Sequence, residues 1–261
     1  MLRRNILYAS AAIALIVLVA YYLLIVAVSY ASFPFGDIMS RLFVPELYHA
    51  LKLSLATSTV ATVMAMGVGI PAAYALSRYE GRLHHLFDAV IDIPIFLSPI
   101  AVGAMLLIFF SSPAGRFFGW ADTEVTFNVA GIVVAQFTIV TALAVRLVKA
   151  RFDDIDPRYE LIARSLGCGP FGSFTRVVLP LARRGIAAAA VVVWARCMGE
   201  FGATVMLAGA SRNTRTLPVS IYLHFAAADV ENALAVIGIL LAVSIVTLIG
   251  IKYLTTGKRR R

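Results

Sequence analysis

Residues 159–180 read YELIARSLGCGPFGSFTRVVLP, a polar and basic island between two long apolar runs. Glu160, Ala163, Arg164 and Leu166 stand at spacings that fit two turns of helix, and Gly167 supplies the left-handed conformation that ends one. Gly169 and Pro170 then break the chain and allow a restart, because proline suits a first helical turn. The restarted stretch closes at Leu179 and Pro180, just ahead of the next apolar run. A short helix with Leu161, Ile162 and Leu166 on one side cannot bury that side alone in water, which marks it as a partner-binding element.

The composition around the island excludes a soluble domain. Of 261 residues, 61% are hydrophobic and 14% charged, against about half and about a quarter in soluble proteins. The chain reads as an all-α integral membrane protein. Its net charge of +9 would suggest nucleic acid in a soluble protein; in a membrane protein the positions of the charges set topology, and no nucleic-acid partner is expected. Cys168 and Cys197 fall in the island and in an apolar run, so no disulfide framework is expected. His49, His84, His85 and His224 lack ligand spacing, so neither a metal nor another cofactor is expected.

Six runs are long enough to span a bilayer, which needs about 20 helical residues. They lie near 6–28, 53–76, 89–110, 129–148, 185–208 and 233–253, in one domain over residues 1–261 with no internal repeat. The first follows Arg3 and Arg4, but its apolar run exceeds the about 7–15 residues of a signal core and reads as a retained anchor. With the amino terminus inside, seventeen of the 23 Lys and Arg fall on the cytoplasmic side, among them Arg78, Arg146, Lys149, Arg183, Arg184 and the basic tail Lys258, Arg259, Arg260 and Arg261. That bias puts both termini and the island in the cytoplasm.

The spans differ in character. The second carries Ser54, Thr57, Ser58, Thr62, Gly67 and Gly69, a small, weakly polar surface for close packing or a wet path. Pro94 and Pro99 in DIPIFLSP predict a kink in the third, where Asp88 and Asp92 read as packing or gate-adjacent groups. Residues 111–127, with Arg116, Gly119, Trp120, Asp122 and Glu124, read as an interfacial connection with an aromatic anchor.

From Glu160, Ala163 and Gly167 to Val177, Leu179 and Pro180, the island resembles the cytoplasmic EAA loop of ABC importer permeases. The spacing from Gly167 to Leu179-Pro180 matches, with Val177 at the usual Ile position, while Leu161 and Ile162 replace the Glu and first Ala. The resemblance implies a type I ABC importer permease fold and a cytoplasmic coupling loop over 149–183. Glu160, Ala163, Arg164, Leu166 and Gly167 would contact a separate ATPase, and Leu179 with Pro180 would fix the way into the fifth span. The bland alternative is an amphipathic loop lying on anionic membrane lipid. The chain itself has no G-x-x-x-x-G-K-[ST] loop, none of its lysines standing in that setting, so it reads as a transport subunit without catalytic residues.

In the fifth span, Arg196 and Glu200 lie at i and i+4, and a charge at that depth costs about 2.5–3.5 kcal/mol to insert. They share a face and partly neutralise each other, either as a structural ion pair or as part of a path lined also by Thr204. The stretch GEFGATVMLAG, followed by TRTLP and Tyr222, is similar to the molybdate branch of oxyanion permeases, which includes tungstate and sulfate or thiosulfate members. That resemblance spans roughly residues 50 to 253 and implies a permease homodimer in a prokaryotic plasma membrane, cytoplasmic ATPase subunits and an extracytoplasmic oxyanion-binding protein. ATP-driven import of molybdate is the implied function, with tungstate, sulfate or thiosulfate import, or a secondary anion carrier, as alternatives. Arg212 and Arg215, just outside the span, read as solvated loop residues or as contacts for an oxyanion or its binding protein.

Overall fold

The computed structural model describes residues 2–41, 44–79, 81–113, 115 and 125–256. The expected aromatic anchor Trp120, with Arg116, Gly119, Asp122 and Glu124, and the basic tail Lys258, Arg259, Arg260 and Arg261 lie outside the described residues. All regular structure among the described residues is helical: α1 Leu2–Ala31, α2 Phe35–Arg41, α3 Pro45–Arg78, α4 His84–Phe96, α5 Pro99–Ser111, α6 Val129–Asp153, α7 Arg158–Ser165, α8 Pro170–Ser173, a π turn Phe174–Val178, α9 Leu179–Met198, α10 Gly202–Ala208, α11 Leu217–Ala226 and α12 Val230–Thr256. Among the described residues, five helical runs are long and apolar enough to cross a bilayer, or six if the bent pair α4 and α5 makes one span.

The centre is the pairing of α3 with α6. Small residues permit it: Ala61, Ala65 and Ala73 of α3 and Ala135 and Ala144 of α6 are fully buried in one core with Val140, Val145 and Val148. A Cβ on Gly69 would lie 3.3 Å from the Ala144 methyl, so a glycine is what lets the two backbones meet at that height. By contrast, the Ser10–Ala31 window of α1 buries none of its residues in the protein. Apolar all round, it is suited to lipid or another protein.

Two spans are broken, and they break opposite each other. Leu97 closes α4 with its N–H on Ile93 O at 3.1 Å, and Ser98 opens α5 as an N-cap, its hydroxyl accepting from Ala101 N at 3.3 Å. Pro99 takes the first turn of the new helix, where its missing N–H costs nothing. The result is sharper than the expected kink, a bend of 106° between the two halves.

The fifth span also departs from the expected single helix over 185–208. The helical run begins in the island, at Pro170, and ends at Met198; after a break at 199–201 a separate short helix, α10, follows. Gly202 and Gly103 explain how the halves fit. A Cβ on Gly103 would stand 2.7 Å from Ala203 Cα, and one on Gly202 would stand 3.0 Å from Ile100 N. The two half-spans α5 and α10 therefore pack backbone against backbone.

Candidate functional site

The island folds into α7, a left-handed turn and α8. Gly167 has φ of +89°, the conformation its place in the sequence predicts, with open space where a Cβ would be. Cys168 N reaches back to Ala163 O at 3.0 Å and Gly167 N to Arg164 O at 3.0 Å, closing the end of α7. Leu179 and Pro180, expected to close the second half, instead sit inside a continuous helical run. Pro180 has no N–H to give Arg176 O, and its ring crowds that carbonyl. The wider π turn Phe174–Val178 accommodates both defects.

The residues singled out in the island divide between two faces. Glu160 and Ala163 are the buried residues of α7, turned toward the membrane helices. Arg164, Leu166 and Gly167 are exposed. Around them lies an apolar surface of Tyr159, Leu161, Ile162, Leu166 and Phe171, the last two 81% and 80% exposed. An apolar face of this kind on a polar loop needs a cover.

Glu160 does not contribute to that face; it is gripped from α3. Arg78 Nε donates to Glu160 Oε1 at 2.7 Å, and the Tyr74 hydroxyl donates to Oε2 at 2.5 Å. Arg78 also donates from Nη2 to Ile155 O at 3.2 Å and from Nη1 to Ser77 Oγ at 2.9 Å. Ser77 in turn donates to Asp153 Oδ1 at 2.6 Å, and Lys149 reaches Oδ2 at 2.8 Å. Sequence reasoning assigned Arg78 to topology and passed over Tyr74. Neither carried a local signal, because Glu160 lies more than eighty positions away.

At the crossing of the two broken spans, Arg196 and Glu200 form the ion pair their spacing predicts, Nη1 to Oε2 at 2.7 Å. The partners differ in environment: the Glu200 side chain is 1% exposed and that of Arg196 is 40% exposed. Glu200 Oε1 also accepts from Ala203 N at 3.1 Å, so the carboxylate covers the opening turn of α10. Thr204 is fully buried, one turn further along. Gln136 of α6, missed in the sequence, donates to Cys197 O at 3.2 Å and Ser58 Oγ at 3.4 Å. Cys197 O, near the end of α9, also accepts from Glu200 N at 3.0 Å, so Gln136 is a second donor to that terminal carbonyl.

Asp88 and Asp92 have a partner of their own. Arg146 of α6 donates to Asp88 Oδ1 at 2.7 Å, to Asp88 O at 3.0 Å and to both oxygens of Asp92. No residue of α4 is buried, so this clasp is its main polar attachment. At the opposite end of the bundle Arg212 stands 3.7 Å from Glu46, and Arg41 pairs with Glu231 and Asp229. With His49, Asn213 and Arg215, Arg212 and Glu46 line a cavity of about 250 Å³.

A polar loop thus carries an exposed apolar face, and charges are paired at two broken spans. A family described as "Binding-protein-dependent transport system inner membrane component" matches residues 65–260. This chain belongs to that family. It is therefore a multi-pass membrane permease. Among curated relatives it is 35% identical over 230 residues, 88% of this chain and 83% of the other, to a "Probable molybdenum ABC transporter permease protein" of Haloferax volcanii. It is 33% identical to the "Molybdenum transport system permease protein ModB" of Mycobacterium tuberculosis, over 79% of each chain. It is also 31% identical to the "Sulfate transport system permease protein CysT" of Escherichia coli, over 83% of this chain and 79% of that one.

Among solved structures, a chain of a bacterial alginate ABC transporter in complex with an alginate-bound periplasmic protein superposes with a TM-score of 0.77 at 17% identity, covering 97% of this chain and 94% of that one. A chain of the MetNI methionine ABC transporter, in inward-facing form, gives 0.61 at 17% identity over 80% and 96%. At that identity these likenesses concern the fold, which is that of ABC importer permeases.

Proposed function

We propose that this permease is the membrane subunit of an ATP-driven importer of molybdate. The observation that carries the reading is the coincidence of molybdenum permease relatives at 33–35% identity with a loop helix whose apolar face is uncovered. Two copies form the path, each docking Leu161, Ile162, Leu166 and Phe171 into a cytoplasmic ATPase. An oxyanion-binding protein delivers cargo at the far end, where Arg212 and Arg215 stand. The charge bias supports cytoplasmic termini and loop in a prokaryotic plasma membrane. Residues 1–261 act as one domain. ATP-driven closure of the ATPase pair moves the loop helices and opens the path outward, and hydrolysis resets it.

Of Arg196, Glu200 and Thr204, the half-exposed Arg196 faces this path at the helix break, with Glu200 and Thr204 buried behind it. The pair there is nearly neutral, so it neither traps nor repels a divalent anion strongly, which suits a conduit whose selectivity resides in the delivering protein.

Sulfate is the second reading, supported by the 31% identity to the sulfate permease. Uptake of labelled molybdate by the reconstituted assembly, with tungstate and sulfate as competitors, separates them. Molybdate should outcompete sulfate; the reverse order at equal concentration overturns the choice of cargo. Transport by the permease alone, without any ATPase, would instead make it a secondary carrier.

A further inference from the structure

Resting on the importer reading, we propose that Arg78 and Tyr74 are positioning residues that transmit the motion of α7 into α3 through the carboxylate of Glu160. The chain connects α7 to α6 on one side, through residues 154–157, and to α8 and α9 on the other. No covalent connection leads to α3, whose pairing with α6 forms the centre of the bundle. The link to α3 is made by side chains, and it is built as a rigid joint.

Three features make it rigid. Glu160 has one oxygen on Arg78 and the other on Tyr74, so its carboxylate is fixed from two directions by charge-assisted hydrogen bonds. The joint is dry, with 6% of the Glu160 side chain and 19% of the Arg78 side chain exposed, so water does not replace a broken contact cheaply. The Tyr74 ring is itself wedged, 4.5 Å from the Phe174 ring in the π turn and 5.7 Å from Phe152 at the end of α6. One tyrosine of α3 therefore touches all three elements around the loop: α7 by its hydroxyl, the π turn and α6 by its ring.

Burial on α7 points the same way. Of its eight residues only Glu160 and Ala163 are buried, so one carboxylate and one small apolar side chain seat the helix on the membrane bundle. An apolar residue would seat it as well and at lower desolvation cost. A carboxylate held at both oxygens adds what an apolar contact lacks, a fixed direction. Displacement of α7 then pulls on α3 instead of sliding over it.

The test uses the assembled permease, ATPase and binding protein in lipid vesicles and reads labelled molybdate imported per ATP hydrolysed. Arg78→Ala should lower that ratio about tenfold, within the usual span of coupling between sites. Tyr74→Phe keeps the wedged ring and removes only the hydroxyl, so it folds even where Arg78→Ala does not; it should lower the ratio about threefold. Arg78→Lys, which retains the charge, should recover part of the loss. Unchanged ratios in Arg78→Ala and Tyr74→Phe overturn the joint. So does a loss of import that only mirrors a loss of bound ATPase, because the two residues would then serve assembly alone. Import by the wild-type assembly without ATP hydrolysis contradicts the importer reading itself, a result distinguishable from both.

Discussion

Arg146 of α6 holds Asp88 of α4 twice, by its side chain at 2.7 Å and by its backbone carbonyl at 3.0 Å, and extends the same guanidinium to Asp92. Since α4 buries no residue of its own, the clasp is expected to fix this half-span. Arg146→Ala should therefore cost stability. A fully buried pair costs about 3–5 kcal/mol when one partner is removed, and with roughly a quarter of each side chain exposed the expectation falls to about 1–3 kcal/mol. Thermal unfolding in detergent measures it, and an unchanged midpoint would show that lipid-facing packing holds α4 without the clasp.

The Arg196 and Glu200 pair should respond asymmetrically. Arg196→Ala strands a carboxylate that is 1% exposed; with Arg196 itself 40% exposed, the buried-pair cost falls to about 2–3 kcal/mol. Glu200→Gln keeps an acceptor for Ala203 N and leaves Arg196, which is 40% exposed, a route to water; about 1 kcal/mol is expected. Equal losses in unfolding free energy would contradict the assigned environments.

Gly167 offers a cleaner perturbation of the loop. Nothing lies within 4 Å of the position its Cβ would take, so a substitution meets no neighbour and only the left-handed backbone resists it. Gly167→Val should cost about 1–2 kcal/mol locally and reorient α8 relative to α7. Membrane insertion should be normal while copurified ATPase decreases; full retention of the ATPase would mean that the turn does not position the docking face.

At the far end, Asp229 accepts from the Asn232 side-chain amide at 2.6 Å, which holds its carboxyl below the usual carboxylate range. Partial burial opposes the shift, and the Asn232 backbone and His224 reinforce it. A folded-state value below the unfolded one contributes stability that is full above the unfolded pKa and is lost as pH falls through the folded one. Wild type should lose a small increment of thermal stability on acidification below about pH 4 that Asp229→Asn does not lose. Parallel melting curves for the two proteins across that range would remove the assignment.

What the sequence made legible was local. The helix of the island, its left-handed stop at Gly167 and the pairing of Arg196 with Glu200 depend on residues within a few positions, where backbone geometry alone decides the outcome. The apolar runs were equally legible as membrane-crossing material. Their breaks were not: residues 199–201 are too few to interrupt a hydropathy reading, and a proline signals a bend without giving 106°. Least legible were the bridges across the bundle. Arg78, Arg146 and Gln136 acquire their roles from partners 58 to 82 positions away, chosen by the packing of α3 and α6. The same packing turned Glu160 and Ala163 inward, leaving Leu161, Ile162, Leu166 and Phe171 as the exposed apolar face.

The most direct measurement is accumulation of labelled molybdate in vesicles holding permease, ATPase and binding protein, with ATP or a non-hydrolysable analogue on the ATPase side. Accumulation should require hydrolysable ATP and should fall at least about tenfold when Leu166 and Phe171 are both changed to Asp, which puts charge into the docking face. Accumulation that persists with the analogue, or is untouched by those changes, would contradict an importer driven through this loop.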